Sequence, residues 1–341
     1  WKPKGNIDVD KALYISSSPH IHSGVTTDKI MRLVIYALLP AIAVAVVFFG
    51  LPALKVLLIC TLGCVACEAL CCKLMKQPLS IGDGSAALTG ILLALNLPPS
   101  SPWWMALLGA AIAIVIAKMI FGGLGYNPFN PALVARVVLL ISFPVQMTSW
   151  TAPAPLSMGF DAVSSATPLG EMKSAVMLTG QLPEMATSGF DRYFYGLMAG
   201  SLGEVSALVL LLGGLFLIFK RVISWHIPVS FIGSVVVMAG IFWLIDPTRY
   251  PSPLFHLLTG GLMLGVFFMA TDMVTSPITA KGMLIFGCGC GLLTVLIRLF
   301  GGYPEGVSFA ILLMNATTPL IDRYTRAEIY GGHNHEAGGM Q

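Results

Sequence analysis

Residues 32–74 read RLVIYALLPAIAVAVVFFGLPALKVLLICTLGCVACEALCCKL, which contains two apolar stretches, 32–50 and 53–74. Each stretch is long enough to cross the hydrocarbon core of a bilayer as a helix, which takes about 20 residues. The rest of the chain has the same character, because 56% of its 341 residues are hydrophobic and only 10% are charged. Soluble domains carry about 25% charged residues. The sequence therefore predicts an all-α integral membrane protein.

Further apolar stretches bring the predicted number of transmembrane segments to about ten. Full-length candidates lie at 102–121, 204–220, 226–245, 253–271, 282–300 and 305–321. Two shorter stretches, 84–97 and 130–144, are interrupted or flanked by Gly, Pro and Asn. Such residues predict short or broken helices whose free backbone groups are satisfied inside the protein.

These segments divide the chain into five parts. They are an N-terminal segment 1–29, a first membrane half 30–144, a loop 145–203, a second membrane half 204–323 and a tail 324–341. With the N-terminus in the cytoplasm, thirteen of the 19 basic residues fall on the inner side and five on the outer side. Because basic residues concentrate on the cytoplasmic side of membrane proteins, we expect both termini in the cytoplasm and the loop on the outer side.

Short sequence repeats relate the two membrane halves. The tripeptide Leu-Thr-Gly at 88–90 recurs at 258–260, and Phe-Gly-Gly at 121–123 recurs at 300–302. Because each half holds five segments, the halves would cross the membrane in opposite senses, which is a five-plus-five inverted repeat. The alternative is chance recurrence, since such tripeptides are common in Gly-rich membrane helices.

A polar patch interrupts the apolar chain at 161–170, where the sequence is Asp-Ala-Val-Ser-Ser-Ala-Thr-Pro-Leu-Gly. This patch and several other runs resemble the family of the D subunit of the Rnf complex, a membrane redox complex. The runs are 122–132, 139–150, 225–228, 270–275, 300–307 and 319–322. The resemblance covers nearly the whole chain. It departs from many relatives at Met273, where Pro is expected, and in the short outer loop.

The resemblance implies a covalently bound flavin. In this family a Ser-x-Ala-Thr threonine carries flavin mononucleotide (FMN) through a phosphoester, and the matching residue here is Thr167. Asp161, Ser164 and Ala166 would complete the attachment motif. A dedicated flavin transferase would modify the threonine, so we expect an accessible hydroxyl on a mobile segment.

The resemblance also implies a function for the chain as a subunit of a larger assembly. The complex would pass electrons between reduced ferredoxin and NAD and couple them to sodium or proton transport in a bacterial or archaeal cytoplasmic membrane. The sequence lacks the Gly-x-Gly-x-x-Gly dinucleotide motif. Ferredoxin and NAD would therefore meet other subunits, among them a second subunit with covalent FMN and iron–sulfur subunits. The lipid bilayer is the other expected partner, and no nucleic acid is expected.

A second, noncovalent flavin, similar to riboflavin, is implied by related quinone reductase subunits. Its candidate residues are Asn127, Asn130, Arg136, Asp272 and Thr275, which lie in or near irregular stretches that could offer polar groups to a buried ring. The alternative is that the Gly and Pro residues of these stretches only break and pack helices.

Charged residues at membrane depth are expensive and often functional. Glu68 is a candidate for the ion pathway, with a structural ion pair or a subunit contact as the alternative. Arg136 is predicted to hold a flavin or pair with an acid. Glu204, Asp272 and Glu305 lie near segment ends, where solvation at the membrane interface is the simpler expectation.

Four cysteines, Cys60, Cys64, Cys67 and Cys71, would share one face of the second segment. At 1.5 Å per residue the first and last lie roughly 16 Å apart, too far to ligate one iron–sulfur cluster. The spacing favours a stripe of small residues that packs against another helix.

Three alternatives to the Rnf assignment stay open on the sequence alone. The B subunit of a sodium-pumping NADH:quinone oxidoreductase would share the flavin motif. A secondary transporter would share inverted repeats, broken helices and buried charges, but it has no need of the Ser-x-Ala-Thr loop. A structural anchor for redox subunits would tolerate the loss of Thr167.

Overall fold

The structure is a computed structural model that describes residues 26–153, 165–187, 190–204 and 206–326. The described part of the chain is predominantly helical, as the composition predicts. Most of the predicted N-terminal segment and tail lie outside these ranges, as do Asp161 and Ser164.

The first half begins with a long helix that is interrupted. Helix α1 (Thr27–Leu74) breaks at Gly50, whose φ of 65° and ψ of −144° are not helical, and this confirms the two predicted stretches as separate helical segments. The half continues with α2 (Ser85–Leu95), α3 (Trp103–Ala111), a π-helical segment Ile112–Met119 and α4 (Pro131–Ser142). Helices α2 and α4 are short, as predicted.

The loop between the halves is partly helical. It contains α5 (Pro144–Met147), α6 (Pro168–Thr179) and α7 (Phe190–Tyr195). The second half follows with α8 (Ala207–Phe219), α9 (His226–Ile245), α10 (Pro253–Leu258), α11 (Leu262–Leu264), a π-helical segment Gly265–Met269, α12 (Ala280–Phe300) and α13 (Val307–Tyr324).

Three of the described helices, α1, α9 and α12, are long and apolar enough to cross a membrane by themselves. Helices α2, α4 and α8, with 11 to 13 residues, are shorter than the roughly 20 residues that a span requires. Each of them has a buried N-terminal residue, namely Ser85, Pro131 and Ala207, so other parts of the protein must satisfy the backbone groups there.

The stretch 253–271, predicted as one full span, is a broken helix. Helix α10 ends at Leu258, and Gly260 and Gly261 turn the chain with φ of 70° and 63°. The Arg298 guanidinium fills the break, since it donates hydrogen bonds to the carbonyls of His256 at 2.6 Å and Thr259 at 2.8 Å. Arg298 is only 1% exposed, so protein rather than water satisfies the free carbonyls.

Small residues allow the helices to approach closely. A Cβ added at Gly90 of α2 would lie 2.6 Å from Cα of Thr61 on α1. A Cβ added at Gly213 of α8 would lie 2.6 Å from the carbonyl oxygen of Ala37, also on α1. Small residues at helix interfaces are typical of membrane proteins, where close backbone approach replaces the hydrophobic effect.

The cysteine face of α1 packs in the same way. The Sγ atoms of Cys60 and Cys64 lie 3.9 Å and 4.0 Å from the carbonyl oxygens of Ala106 and Ala110 on α3. The prediction of a small-residue packing stripe is confirmed for these two residues.

The helices of the two membrane halves contact each other in the same order along the chain. The part of α1 after Gly50 contacts α2 and α3, and its counterpart α9 contacts α10 and α12. The π-helical segment after α3 contacts α4, and α12 contacts α13. This order of contacts agrees with the five-plus-five repeat predicted from the tripeptides.

Helix α6 is held against the second membrane half. Leu169 and Met172 of α6 pack with Tyr193 of α7 and Phe255 of α10 in a separate apolar cluster. The ammonium group of Lys173 donates to the carbonyl of Gly301, and burial lowers the pKa of this lysine. Helix α6 is therefore part of the folded core on this side of the protein rather than a free loop.

The packing at Gly90 predicts that one added methyl group lowers the stability of the protein. Gly90→Ala places its Cβ against the rigid backbone of Thr61, and we expect a net destabilisation within the range of about 1–3 kcal/mol for overpacking. Gly233→Ala on α9 is the matched control, because no atom lies within 4 Å of its added Cβ. It should stabilise the helix by up to about 1 kcal/mol. Thermal unfolding of the purified proteins in detergent measures the change in Tm of each variant. Equal changes in Tm for the two variants would contradict the packing described here.

Candidate functional site

Thr167 is the N-cap residue of α6. Its hydroxyl accepts a hydrogen bond from the N–H of Gly170 at 3.1 Å, and Pro168 occupies the first helical position. Both residues are typical of a helix start. Thr167 is only 6% exposed, which differs from the accessible, mobile threonine expected from the sequence. The cap and the docking of α6 bury it.

Two cavities flank the attachment motif. A cavity of about 210 Å³ is lined by Thr167 together with Thr148, Trp150, Tyr303 and Glu305. A larger cleft of about 760 Å³ is lined by residues that include Ser165, Pro168, Asp191, Arg192, Tyr193 and Ala199. Ala166 lines both cavities, so Thr167 lies at the wall between them.

A buried ion pair lies beneath the smaller cavity. Glu305, which lines that cavity, pairs with the guanidinium of Arg136 on α4. The other guanidinium nitrogen, Nη1, donates to Oδ1 of Asn96 at 2.7 Å. Of the two sequence predictions for Arg136, the structure shows the pairing with an acid.

From Asn96, further contacts lead to Asn130 at the N-terminal end of α4. The Nδ2 atom of Asn96 lies 3.7 Å from the sulfur of Met269, and the Met269 carbonyl accepts a hydrogen bond from Asn130 at 3.3 Å. Asn130 also caps the start of α4 by accepting from the N–H of Ala132 at 3.1 Å. The twelve residues of α4 span about 18 Å at 1.5 Å per residue. The contacts thus run from the start of α4 to Arg136 near its middle, and through Glu305 to the smaller cavity.

A third cavity lies at the Asn130 end of α4, with a volume of about 100 Å³. Three of the five residues predicted for a second flavin line it, namely Asn127, Asn130 and Asp272. Thr275 donates to Oδ2 of Asp272 at 3.2 Å and supports that side chain from behind. Arg136 does not line this cavity and belongs to the Glu305 pair instead.

Glu68 forms a buried ion pair beside the same cavity. The ammonium group of Lys118 lies 3.0 Å from both carboxylate oxygens and donates to the hydroxyl of Ser85 at 2.6 Å. Ser80 donates to the same carboxylate. Lys118 and Ser85 also line the cavity, so this pair is part of its wall.

Lys118 was not among the residues predicted from the sequence, although it is the one charged residue of the stretch 102–121. It lies in the π-helical segment that follows α3, and Met269 lies in the π-helical segment that follows α11. Isolated π turns in helices are frequent at functional sites. Here Lys118 of the first π-helical segment pairs with Glu68. Met269 of the second contacts Asn96 with its sulfur and accepts a hydrogen bond from Asn130 with its carbonyl.

Comparison with known proteins gives one consistent answer. The family model for the NQR2, RnfD, RnfE family matches residues 14–331. The chain is 50% identical over 321 residues to the D subunit of the Na(+)-translocating ferredoxin:NAD(+) oxidoreductase complex of Acetobacterium woodii, covering 94% of this chain and 95% of that protein. It is 46% identical over 347 residues to the D subunit of the ion-translocating oxidoreductase complex of Cronobacter sakazakii, covering 93% and 98%. The protein of the same name from Escherichia fergusonii is 43% identical with the same coverage.

The Lys118–Glu68 pair generates a stability prediction. Lys118→Met leaves a buried carboxylate without its cation, and removing one partner of such a pair costs about 3–5 kcal/mol. Adding Glu68→Gln removes the orphaned charge, so the double variant should regain much of the loss. Thermal unfolding in detergent of the two single variants and the double variant measures this coupling. Additive losses would show that the two residues act independently and would contradict their 3.0 Å contact.

Proposed function

Because the chain belongs to the NQR2, RnfD, RnfE family, we propose that it is the flavin-carrying membrane subunit of an Rnf-type, ion-translocating ferredoxin:NAD oxidoreductase complex. The family match confirms the resemblance predicted from the sequence, and its apolar helices make the chain a multi-pass membrane protein. The three relatives are D subunits of ion-translocating oxidoreductase complexes in bacteria. The observation that supports a flavin-carrying role in this chain is the position of Thr167.

We propose that Thr167 carries FMN through a phosphoester on its hydroxyl oxygen. That oxygen already caps a helix of 12 residues, and the free N–H groups and dipole at a helix N-terminus favour a phosphate there. The adjoining cleft of about 760 Å³ lies within the range of about 300–1,000 Å³ that is typical of cofactor-sized ligands. The residues present therefore fit the group. When bound, FMN supplies one- and two-electron chemistry, while the protein sets its position and electrostatics.

The described residues around Thr167 would position and tune the cofactor. Glu305 and Arg136 hold a compensated pair of charges beneath it, so the flavin would be placed over a locally neutral wall. Trp150 and Tyr303 add apolar surface to the smaller cavity. A fixed site would suit an electron relay, since the rate of electron transfer falls steeply with the distance between donor and acceptor. The complex would couple this transfer to transport of sodium or protons.

A second, noncovalent flavin at the cavity near Asn127 is part of the proposal. Asn127 and Asp272 present polar groups to a largely apolar space lined by Phe267 and Phe268. The cavity volume of about 100 Å³ is smaller than typical cofactor pockets, so side chains must move outward to admit a flavin ring. Two redox groups at opposite ends of α4 would divide the path of an electron into shorter steps.

The proposed topology follows from the distribution of basic residues. Both termini would lie in the cytoplasm, and 145–203, with Thr167, would lie on the outer side. Ferredoxin and NAD would meet other subunits, including iron–sulfur subunits and a second subunit with covalent FMN. The transferase that modifies Thr167 would act on the outer side.

Three variants test the attachment and separate it from the helix cap. Thr167→Ala removes both the hydroxyl and the cap, and loss of a cap costs about 1 kcal/mol. Thr167→Asn keeps a capping oxygen but cannot form the phosphoester. Ser165→Ala removes a neighbouring exposed hydroxyl and is the matched control. Each complex is purified from a host that contains the transferase, and the peptide containing residue 167 is analysed by mass spectrometry.

We expect FMN on this peptide in the wild type and in Ser165→Ala, and none in the two Thr167 variants. Electron transfer from ferredoxin to NAD should fall to background in both Thr167 variants, including Thr167→Asn, in which α6 stays capped. Full activity of a complex without this flavin would overturn the relay role. An unmodified wild-type peptide would favour a transporter or an anchor.

The second flavin has a separate test. Denaturing the purified complex should release a noncovalent flavin that is absent or reduced several-fold in Asn127→Leu, because the variant replaces a polar wall of the cavity with an apolar one. The covalent flavin on Thr167 should remain and serves as the internal control. Unchanged release of free flavin from the variant would remove Asn127 from the proposed site.

A further inference from the structure

Glu204 is a buried carboxylate with an unused oxygen. It ends a short turn at 202–204 that leads into α8, and it is 4% exposed. Within the described residues its Oε1 atom makes no hydrogen bond of ordinary geometry, and neither does the hydroxyl of Ser201, which nevertheless lies close enough to the carboxylate to stabilise its charged form. The sequence-based expectation that Glu204 is solvated at a segment end is wrong. Because α8 is short, the segment end lies inside the protein.

The carboxylate lies at the break in the second membrane half. A Cβ added at Gly261, where the chain turns from α10 into α11, would lie 3.2 Å from Oε1 of Glu204. A Cβ added at Gly200 would collide with the other oxygen, Oε2. Glycine at both positions leaves just enough room for the carboxylate itself.

The charged groups that face Glu204 among the described residues are Glu305, Arg136 and Arg298. Arg136 and Glu305 pair with each other, whereas the guanidinium of Arg298 bonds only backbone carbonyls. His256, whose Nδ1 atom is also without a partner in the described part of the chain, lies next to Arg298. With Glu204 ionised, these two arginines and two glutamates carry no net charge. With Glu204 protonated, the same cluster carries one positive charge.

The geometry favours a proton over a metal ion as the ligand of Glu204. A water molecule needs a space of about 10–15 Å³, and a hydrated cation needs more. At Glu204 the backbone already lies against the carboxylate, since a Cβ added at Gly200 would collide with one of its oxygens and a Cβ added at Gly261 would lie 3.2 Å from the other, which leaves no room for a coordination shell on these two sides. Carbonyls at a helix break can coordinate sodium in transporters, but here Arg298 already occupies them. A proton needs neither volume nor a coordination shell.

Glu204 also lies close to both cavities at Thr167. Glu305 faces Glu204 and lines the smaller cavity, and Ala199, next to Gly200, lines the larger cleft. A charge that arrives in either cavity therefore acts on Glu204 through a poorly screened, buried environment.

We infer that Glu204 is a redox-linked proton-binding site, which takes up a proton when an electron reaches the group on Thr167 and releases it when the electron leaves. This inference rests on the proposed attachment of FMN at Thr167. An electron from an iron–sulfur or flavin donor of the complex adds one negative charge near the cluster. The Glu204 carboxylate forms one O–H bond with a proton from water, and the total charge is unchanged. When the electron passes to the next acceptor, that O–H bond breaks and the proton returns to water.

Redox-difference infrared spectroscopy of the purified complex tests the inference. Reduction of the wild type should produce a band of a protonated carboxyl group that shifts in heavy water. Glu204→Gln should abolish that band, and Glu204→Asp, which keeps a carboxyl group in a different position, should shift it. Asp246→Asn is the matched control, because it makes the same carboxylate-to-amide change at the C-cap of α9, where the carboxylate accepts hydrogen bonds from Thr248 and from no residue of the cluster. The control should leave the band unchanged.

Mass spectrometry of the same samples reports whether Thr167 carries flavin. A wild type without flavin on Thr167 refutes the proposed function and this inference together. Flavin on Thr167 with the carboxyl band intact in Glu204→Gln overturns the inference and leaves the proposed function standing. If Glu204→Gln does not assemble, an unshifted band in Glu204→Asp gives the same negative answer, whereas a shifted band supports the inference.

Discussion

The hydrogen bonds from Arg298 to the carbonyls at the end of α10 are the interaction on which the second membrane half depends. A helix that stops inside a membrane leaves carbonyls that lipid cannot satisfy, so the break at Gly260 and Gly261 requires a buried donor. Arg298, projecting from α12, supplies several donors from one side chain. With these carbonyls satisfied, the chain can turn at the two glycines. Helix α10 then packs against α6, and the following π-helical segment contacts Asn96 and Asn130.

Buried charge is the second constraint, and the structure meets it by pairing. Lys118 compensates Glu68 at one end of α4, and Arg136 compensates Glu305 towards the other. Arg298 has backbone partners only, and Glu204 is the acid that balances it at longer range. When Glu204 is ionised, these buried groups carry no net charge. Any electron that enters the region around Thr167 breaks that balance, which is the physical reason to expect a linked proton there.

Much of this organisation could be predicted from the sequence, and the failures have physical causes. Gly, Pro and Asn around 84–97 and 130–144 indicated short helices, and the irregular stretches around Asn127 and Asp272 were predicted to share a site, as they do in the wall of one cavity. The break at Gly260 was missed because two glycines in an apolar stretch also occur in continuous membrane helices. Glu204 and Glu305 were expected at a solvated interface because segment ends were equated with the membrane surface. Instead, the short helix α8 leaves Glu204 inside the protein, and the pair with Arg136 holds Glu305 away from solvent.

The burial of Thr167 constrains how the proposed flavin could be attached. A transferase must reach the hydroxyl oxygen, but that oxygen caps α6 and the residue is 6% exposed. Helix α6 is fixed by Leu169, which packs against Gly260 beside the break, and by the bond from Lys173 to Gly301. Both contacts belong to the second membrane half, so α6 can dock only after that half has folded. The proposed attachment of FMN at Thr167 would therefore take place before α6 docks, and the phosphate would then take the place of the hydroxyl at the helix N-terminus. The same contacts that hide the threonine would hold the attached flavin at a fixed distance from Glu305 and Glu204.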